Sequence, residues 1–199
     1  TSFVDLSAIV PGVTVAKNEG YKTIISIRGV GNETNQNAIA APSVAYHMDG
    51  VFIASPFALG TDFLDVERIE VLRGPQGTLF GQNSTGGAVN VISKAPSMDG
   101  GSGRMNVTFG DYNLRKVSTS NNFVVNDKIA TRFSLSSSTR DGFTKNIYTG
   151  QDLDDDNSKS FRTDWMFNLN DTSSLRVFGQ YFKVDRNGAA IRGIDDQTS

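Results

Sequence analysis

Residues 65–96 read DVERIEVLRGPQGTLFGQNSTGGAVNVISKAP, and the fold turns on this stretch. Residues 66–72 alternate in a β-rich pattern and predict a strand. Arg73-Gly74 ends it. Pro75 suits the first turn of a helix, and residues 76–80 give about one turn before Gly81 stops it. Residues 82–86 carry turn chemistry. Residues 87–93 predict a second strand, closed by Lys94-Ala95-Pro96.

Gly74, Gly77, Gly81, Gly86 and Gly87 crowd this unit, which calls for tight packing or positive φ. A phosphate-binding loop is excluded. Gly81 and Gly86 have its glycine spacing, but Gly87-Ala88 stands where Lys-Ser/Thr is required. VERIEVLRGPQGTLFG followed by GGAVNVISKAP instead resembles the end of the plug domain of TonB-dependent outer-membrane transporters. Ile27-Arg28-Gly29 and Met48-Asp49-Gly50-Val51 resemble two further plug motifs, in the right order. The resemblance covers residues 1 to 97 by motif and the remainder by pattern.

Composition narrows the classes. The chain has 199 residues, 20 glycines, no cysteine and a formal charge of −2. That charge argues against a nucleic-acid binder, and the missing cysteine excludes disulfides and thiolate metal sites. No apolar run reaches the length of about eighteen residues that a membrane helix needs. Thr1-Ser2-Phe3 does not resemble a signal peptide.

Ser2 and Asp5 form a capping-box-like start to a short helix ended by Pro11-Gly12. Residues 13–15 predict a brief strand, and residues 23–28 one buried on both faces. Residues 29–42 and 55–60 predict loops. Asp49-Gly50 predicts a hairpin between strands at 43–48 and 51–54, and residues 61–65 a helical turn. After Pro96 the pattern changes to long amphipathic strands, from residue 104, at 114–125, 128–140, 161–169 and 175–184, of roughly the length that crosses an outer membrane. Short turns at 126–127 and 170–173 alternate with a long acidic loop at 141–158, as short periplasmic turns alternate with outer loops. A soluble β-sandwich shares this alternation.

The expected fold is therefore an α+β plug domain, a small mixed sheet with short helices (residues 1–97). The first strands, about five, of an antiparallel transmembrane β-barrel follow (residues 98–199). Barrels of this class take about 22 strands, so the chain is expected to be a fragment.

The resemblance implies roles. Arg28 and Arg73 correspond to plug arginines that pair with glutamates on the inner barrel wall, here expected beyond residue 199. Apical loops would offer Asn32, Glu33, Asn35, Gln36, Ser55 and Phe57 to a ligand. The implied function is TonB-dependent import of a scarce nutrient across the outer membrane of a Gram-negative bacterium, with no catalytic residues and no enzyme activity. A ferric siderophore is the default cargo; cobalamin, nickel chelates and oligosaccharides are alternatives, as is a receptor that mainly signals to an inner-membrane regulator. Expected partners are TonB, a metal-chelate ligand and outer-membrane lipid, with no nucleic acid. No cofactor and no resident metal are expected, iron entering only as part of a transported chelate. Asp152, Asp154 and Asp156 imitate the start of a calcium loop, but Asn157 replaces its glycine and Thr163 its glutamate, which favours a solvated loop. His47, the single histidine, reads as structural.

Overall fold

A computed structural model describes residues 6–18, 22–31, 43–53, 64–81 and 83–187. The chain opens on α1 (Leu6–Ile9), closed by Pro11-Gly12, with Gly12 at φ +79°. Strands β1 (Val13–Asn18), β2 (Lys22–Ile27) and β3 (Val30–Gly31) form an antiparallel sheet in sequence order. β1 runs past the brief strand expected at 13–15 because every residue to Asn18 finds a partner on β2. β2 stops one residue short of Arg28, which turns at φ +53°. Only one face of β2 is fully buried: Thr23, Ile25 and Ile27 lie inside, whereas Ile24 and Ser26 are half-buried. The expectation of two buried faces is corrected accordingly.

A second sheet has the order β5-β4-β7-β6, from β4 (Val44–Met48), β5 (Val51–Phe52), β6 (Val66–Arg73) and β7 (Gly87–Ser93). β4 pairs with β7 in parallel, while β5 and β6 pair antiparallel with their neighbours, so the sheet is mixed. Asp49 and Gly50 both take positive φ, +50° and +80°, the geometry of a two-residue hairpin turn. The helix α2 (Gly77–Phe80) is one turn long with Gln76 at its N-cap position, making no side-chain cap bond, so Pro75 precedes the cap instead of occupying the first turn. Leu64 and Asp65 form a bend and not the expected helical turn; residues 61–63 lie outside the described residues.

Leu6, Val13, Ile25, Ile27, Val44, Tyr46, Val89 and Val91 pack into one apolar core between the two sheets. Gly87 explains the glycine pair at the start of β7. A side chain there would place its Cβ 2.3 Å from the Leu72 carbonyl oxygen, and its φ is +141°. At Gly86 the same atom would meet Val30 at 2.8 Å. These glycines allow close approach of backbone, not of a ligand.

Residues 94–101 lead to a five-stranded antiparallel sheet of order β14-β13-β10-β9-β8. Its strands are β8 (Ser102–Gly110), β9 (Leu114–Asn126), β10 (Ile129–Arg140), β13 (Asp156–Asn170) and β14 (Ser173–Val184). The acidic segment between β10 and β13 is shorter and more ordered than expected. It holds a small hairpin, β11 (Thr144–Lys145) with β12 (Asp152–Leu153), and β13 begins at Asp156, paired with Arg140.

The register sorts the side chains onto two faces. Met105, Val107, Phe109, Val117, Leu135, Phe161, Val177 and Tyr181 share one face and are exposed. Asn122, Arg132, Ser134, Ser138, Arg162 and Asp164 share the other and are buried. An apolar exposed face with a polar buried one is the pattern of lipid-facing strands around a filled lumen.

Candidate functional site

The polar face of the five-stranded sheet closes on the end of the mixed sheet from which the chain leaves for β8. Asp49 and Asp65 hang from that end. Both sit at φ +50°, a conformation that aspartate tolerates better than most residues. Backbone bonds fix them: Asp49 N–H donates to Val91 O at 2.9 Å, and Lys94 N–H donates to Asp65 O at 2.9 Å. Period-two alternation on β10, β13 and β14 then delivers Arg132, Arg162 and Arg176 to the same surface.

Arg132 forms an ion pair with Asp65, which also lies 3.4 Å from the Ser134 hydroxyl. Arg162 Nη2 lies 2.8 Å from Asp49 Oδ2 and 3.0 Å from Asp164 Oδ2; the first contact is an ion pair at close range without hydrogen-bond alignment. The other Asp49 oxygen accepts the Ser93 N–H at 2.8 Å. Asp164 is 1% exposed and serves two arginines, because Arg176 also grips it, at 2.9 Å and 2.5 Å. Arg176 reaches across to the Ser93 carbonyl at 3.4 Å. The Phe178 ring lies 4.4 Å from the Arg162 guanidinium.

A neutral clamp completes the interface. The Asn122 amide donates to Ser97 O and Gly100 O, both at 2.8 Å, and its oxygen accepts the Ser97 N–H at 2.9 Å. At 2% exposure, this one side chain fixes the connection between the two parts of the chain. Buried charges are tolerated only when paired and hydrogen-bonded, and here carboxylates of the N-terminal sheet meet arginines of the wall. Sequence reading missed this cluster. Its signal was an arginine on the polar face of each of three amphipathic strands.

Arg28 and Arg73 come together elsewhere, at the Pro11-Gly12 turn. Arg28 N–H donates to Gly12 O at 2.7 Å, and Arg73 Nη2 donates to Pro11 O at 2.9 Å. Both are exposed among the described residues. Asn32, Glu33, Asn35, Gln36, Ser55 and Phe57 lie outside the described residues. The flanks of their two loops are described: Ser43 accepts the Gly86 N–H, and β5 runs antiparallel to β4 towards that same end.

The carboxylates of residues 152–156 do not converge. Asp156 is held by Arg186 at 2.6 Å and by the Ser138 hydroxyl at 2.9 Å, while Asp155 accepts the Asn187 N–H. Among the described residues no group of three or more metal-ligating side chains occurs. His47 is buried beside Phe52, ring centroids 5.6 Å apart, and burial lowers its pKa below the ordinary imidazole value. Burial likewise raises the neighbouring Tyr46 hydroxyl.

A mixed-sheet domain ion-paired to the polar face of strands whose other face is apolar and exposed has the arrangement of a plug held against part of a β-barrel wall. The family model for the TonB-dependent receptor plug domain matches residues 1–88 of this chain. The pesticin receptor of Yersinia enterocolitica is 34% identical over 93 residues, which are 46% of this chain and 13% of that protein. The catecholate siderophore receptor Fiu of Escherichia coli is 31% identical over 109 residues, 53% of this chain and 14% of that protein. The chain thus spans a small part of the relatives it matches. The crystal structure of the ferric yersiniabactin uptake receptor FyuA from Yersinia pestis shares the fold, with a TM-score of 0.75 over 89% of this chain and 28% of that one, at 23% identity.

Proposed function

We propose that the protein containing this chain imports a ferric siderophore across the outer membrane, driven by TonB, and is a transporter rather than an enzyme. The observation that carries this reading is a plug domain ion-paired to a lipid-facing wall, in a chain whose matched relatives include the catecholate siderophore receptor Fiu, beside the pesticin receptor and the vitamin B12 transporter BtuB. The ion-paired interface supports a plug that seals the lumen at rest and must be remodelled for passage. Iron enters as cargo within a chelate.

In this reading Asn32, Glu33, Asn35, Gln36, Ser55 and Phe57 contact the ligand from the outer side, a mixture of polar and aromatic groups suited to a mid-sized polar chelate. Arg28 and Arg73 present their guanidinium groups together to glutamates of the barrel wall. The test is growth of a strain lacking the gene, under iron limitation, on a panel of ferric chelates. Loss of growth on one chelate, restored by the intact gene but not without TonB, is the expected result. Unchanged uptake of every chelate overturns the siderophore reading. For the lock, reversing both charges (Arg28→Glu with Arg73→Glu) is expected to abolish uptake and loosen the plug; unchanged plug retention and uptake would remove it.

A further inference from the structure

Charge at the joint between plug and wall is unevenly shared. The wall brings Arg132, Arg162 and Arg176 but one carboxylate, Asp164; the two carboxylates that complete the set, Asp49 and Asp65, belong to the plug. Asp164 pairs with Arg162 and Arg176, whereas among the described residues Asp65 is the carboxylate that pairs with Arg132. Arg132 and Arg162 stand on β10 and β13, whose neighbouring strands on both sides are in place.

Asp65 sits against this wall as a ligand would. Its carboxylate meets the Arg132 guanidinium and lies 3.4 Å from the Ser134 hydroxyl, a charged and a neutral donor aimed at one anion. The space between Asp65 and the wall residues Arg132, Ser134, Arg162 and Asp164 has no room for a water molecule. The donors belong to the wall, and the occupant belongs to the part that must move for passage. Withdrawal of the plug removes Asp49 and Asp65 together and leaves a cationic surface on the lumen side. A poorly hydrated cation without a counterion is costly, so an anionic group that enters there is stabilised.

We propose that Arg132 and Ser134, with Arg162 beside them, form a transit seat for an anionic ferric chelate, which Asp65 and Asp49 fill at rest. The inference rests on the transport reading above and narrows its cargo to chelates with carboxylate or catecholate oxygens and net negative charge. Uptake of radiolabelled iron is measured in cells carrying the full-length protein, with ferric citrate and a ferric tris-catecholate as anionic probes and a ferric tris-hydroxamate as the neutral one. TonB-dependent import of an anionic probe is expected. Import of the neutral probe alone overturns the seat and leaves the transport reading standing, whereas import of none overturns the transport reading itself. Arg132→Gln should slow anionic uptake by about tenfold or more, the loss of one hydrogen bond to a charged group. Asp65→Asn breaks the same ion pair but keeps the seat, so uptake is expected to be retained or faster. Arg132→Lys should keep most of it. The neutral pair Asp65→Asn with Arg132→Gln relieves the unpaired charge and carries the test if Arg132→Gln alone fails to assemble by heat-modified gel migration; it should remain slow. Chelate bound to cells lacking TonB should be unchanged in every variant. Equal losses from Asp65→Asn and Arg132→Gln, or parental uptake by the neutral pair, would show a purely structural contact and overturn the proposal.

Discussion

The two parts of this chain are built on opposite plans. In the plug sheets the largest fully buried side chains are Ile27, Val44, Val89 and Val91, and the exposed edge carries Glu67 and Arg68. In the barrel sheet the fully buried side chains include Asn122 and Asp164, while Met105, Phe109 and Tyr181 are more than half exposed. Hydrophobic burial organises the first part; the second saves its apolar surface for lipid and fills its interior with charge. Where the plans meet, neither side supplies an apolar face, so the interface is made of ion pairs and amide hydrogen bonds. A joint of that kind can be opened into water at lower cost than an apolar core, because its groups regain hydration as they separate.

Asp164 is where that contrast is most exposed to failure. Asp164→Ala leaves Arg162 and Arg176 with their shared carboxylate gone, and removing one partner of a buried ion pair costs roughly 3–5 kcal/mol. Thermal unfolding of the full receptor in detergent should show the largest loss among these variants; a change under about 1 kcal/mol would mean that the inward charges are hydrated and the inverted plan is wrong. On the opposite face, Val177→Arg sets a charge near the middle of β14 against lipid and is expected to cost about 2–4 kcal/mol, read from reversible folding into bilayers. A neutral result there would return the sheet to the soluble sandwich class.

The alternation that decides this plan was legible in the sequence, because period two is a local property. The Asp49-Gly50 turn and the stop at Gly81 were legible for the same reason: positive φ restricts residue choice on the spot. The ion pairs were not. Asp65 and Arg132 are 67 residues apart, and nothing near either residue announces the other. The reach of β13 back to Asp156 was hidden similarly, since an acidic run reads as solvated loop until Arg186 and Ser138 are seen to hold that carboxylate. Arg28 and Arg73 were singled out through motif resemblance alone, and their convergence on Pro11-Gly12 is a local contact that the motifs do not specify.

The two arms of the interface differ in what they leave behind. If Asp49 withdraws, Arg162 keeps Asp164; if Asp65 withdraws, Arg132 keeps no carboxylate shown in contact with it. Asp49→Asn should therefore cost less than Asp65→Asn, about 1–3 kcal/mol for a buried group left partly unsatisfied. Combining Asp49→Asn with Asp164→Ala should cost more than the sum of the two, because Arg162 then loses both partners. Strict additivity in that double-mutant cycle would show that the carboxylates do not share the arginine.

The smallest expected effect lies on the plug's exposed edge. Arg68, and then Asn90, hydrogen-bond the Glu70 carboxylate and hold its pKa below the ordinary value of 4.5. A carboxylate with a depressed folded pKa stabilises the native state above its unfolded pKa, and that contribution disappears as the pH falls through the folded value. Glu70→Gln should thus match the parent in acid and fall slightly behind it above pH 4.5, a gap that added salt narrows because the pair is exposed. Hydrogen exchange of the β6 and β7 amides across that range reads it locally. A gap that persists in acid, or that salt does not touch, would assign the difference to the Asn90 contact and its packing, and the plug edge would then hold by the same buried polar bonding as the barrel wall.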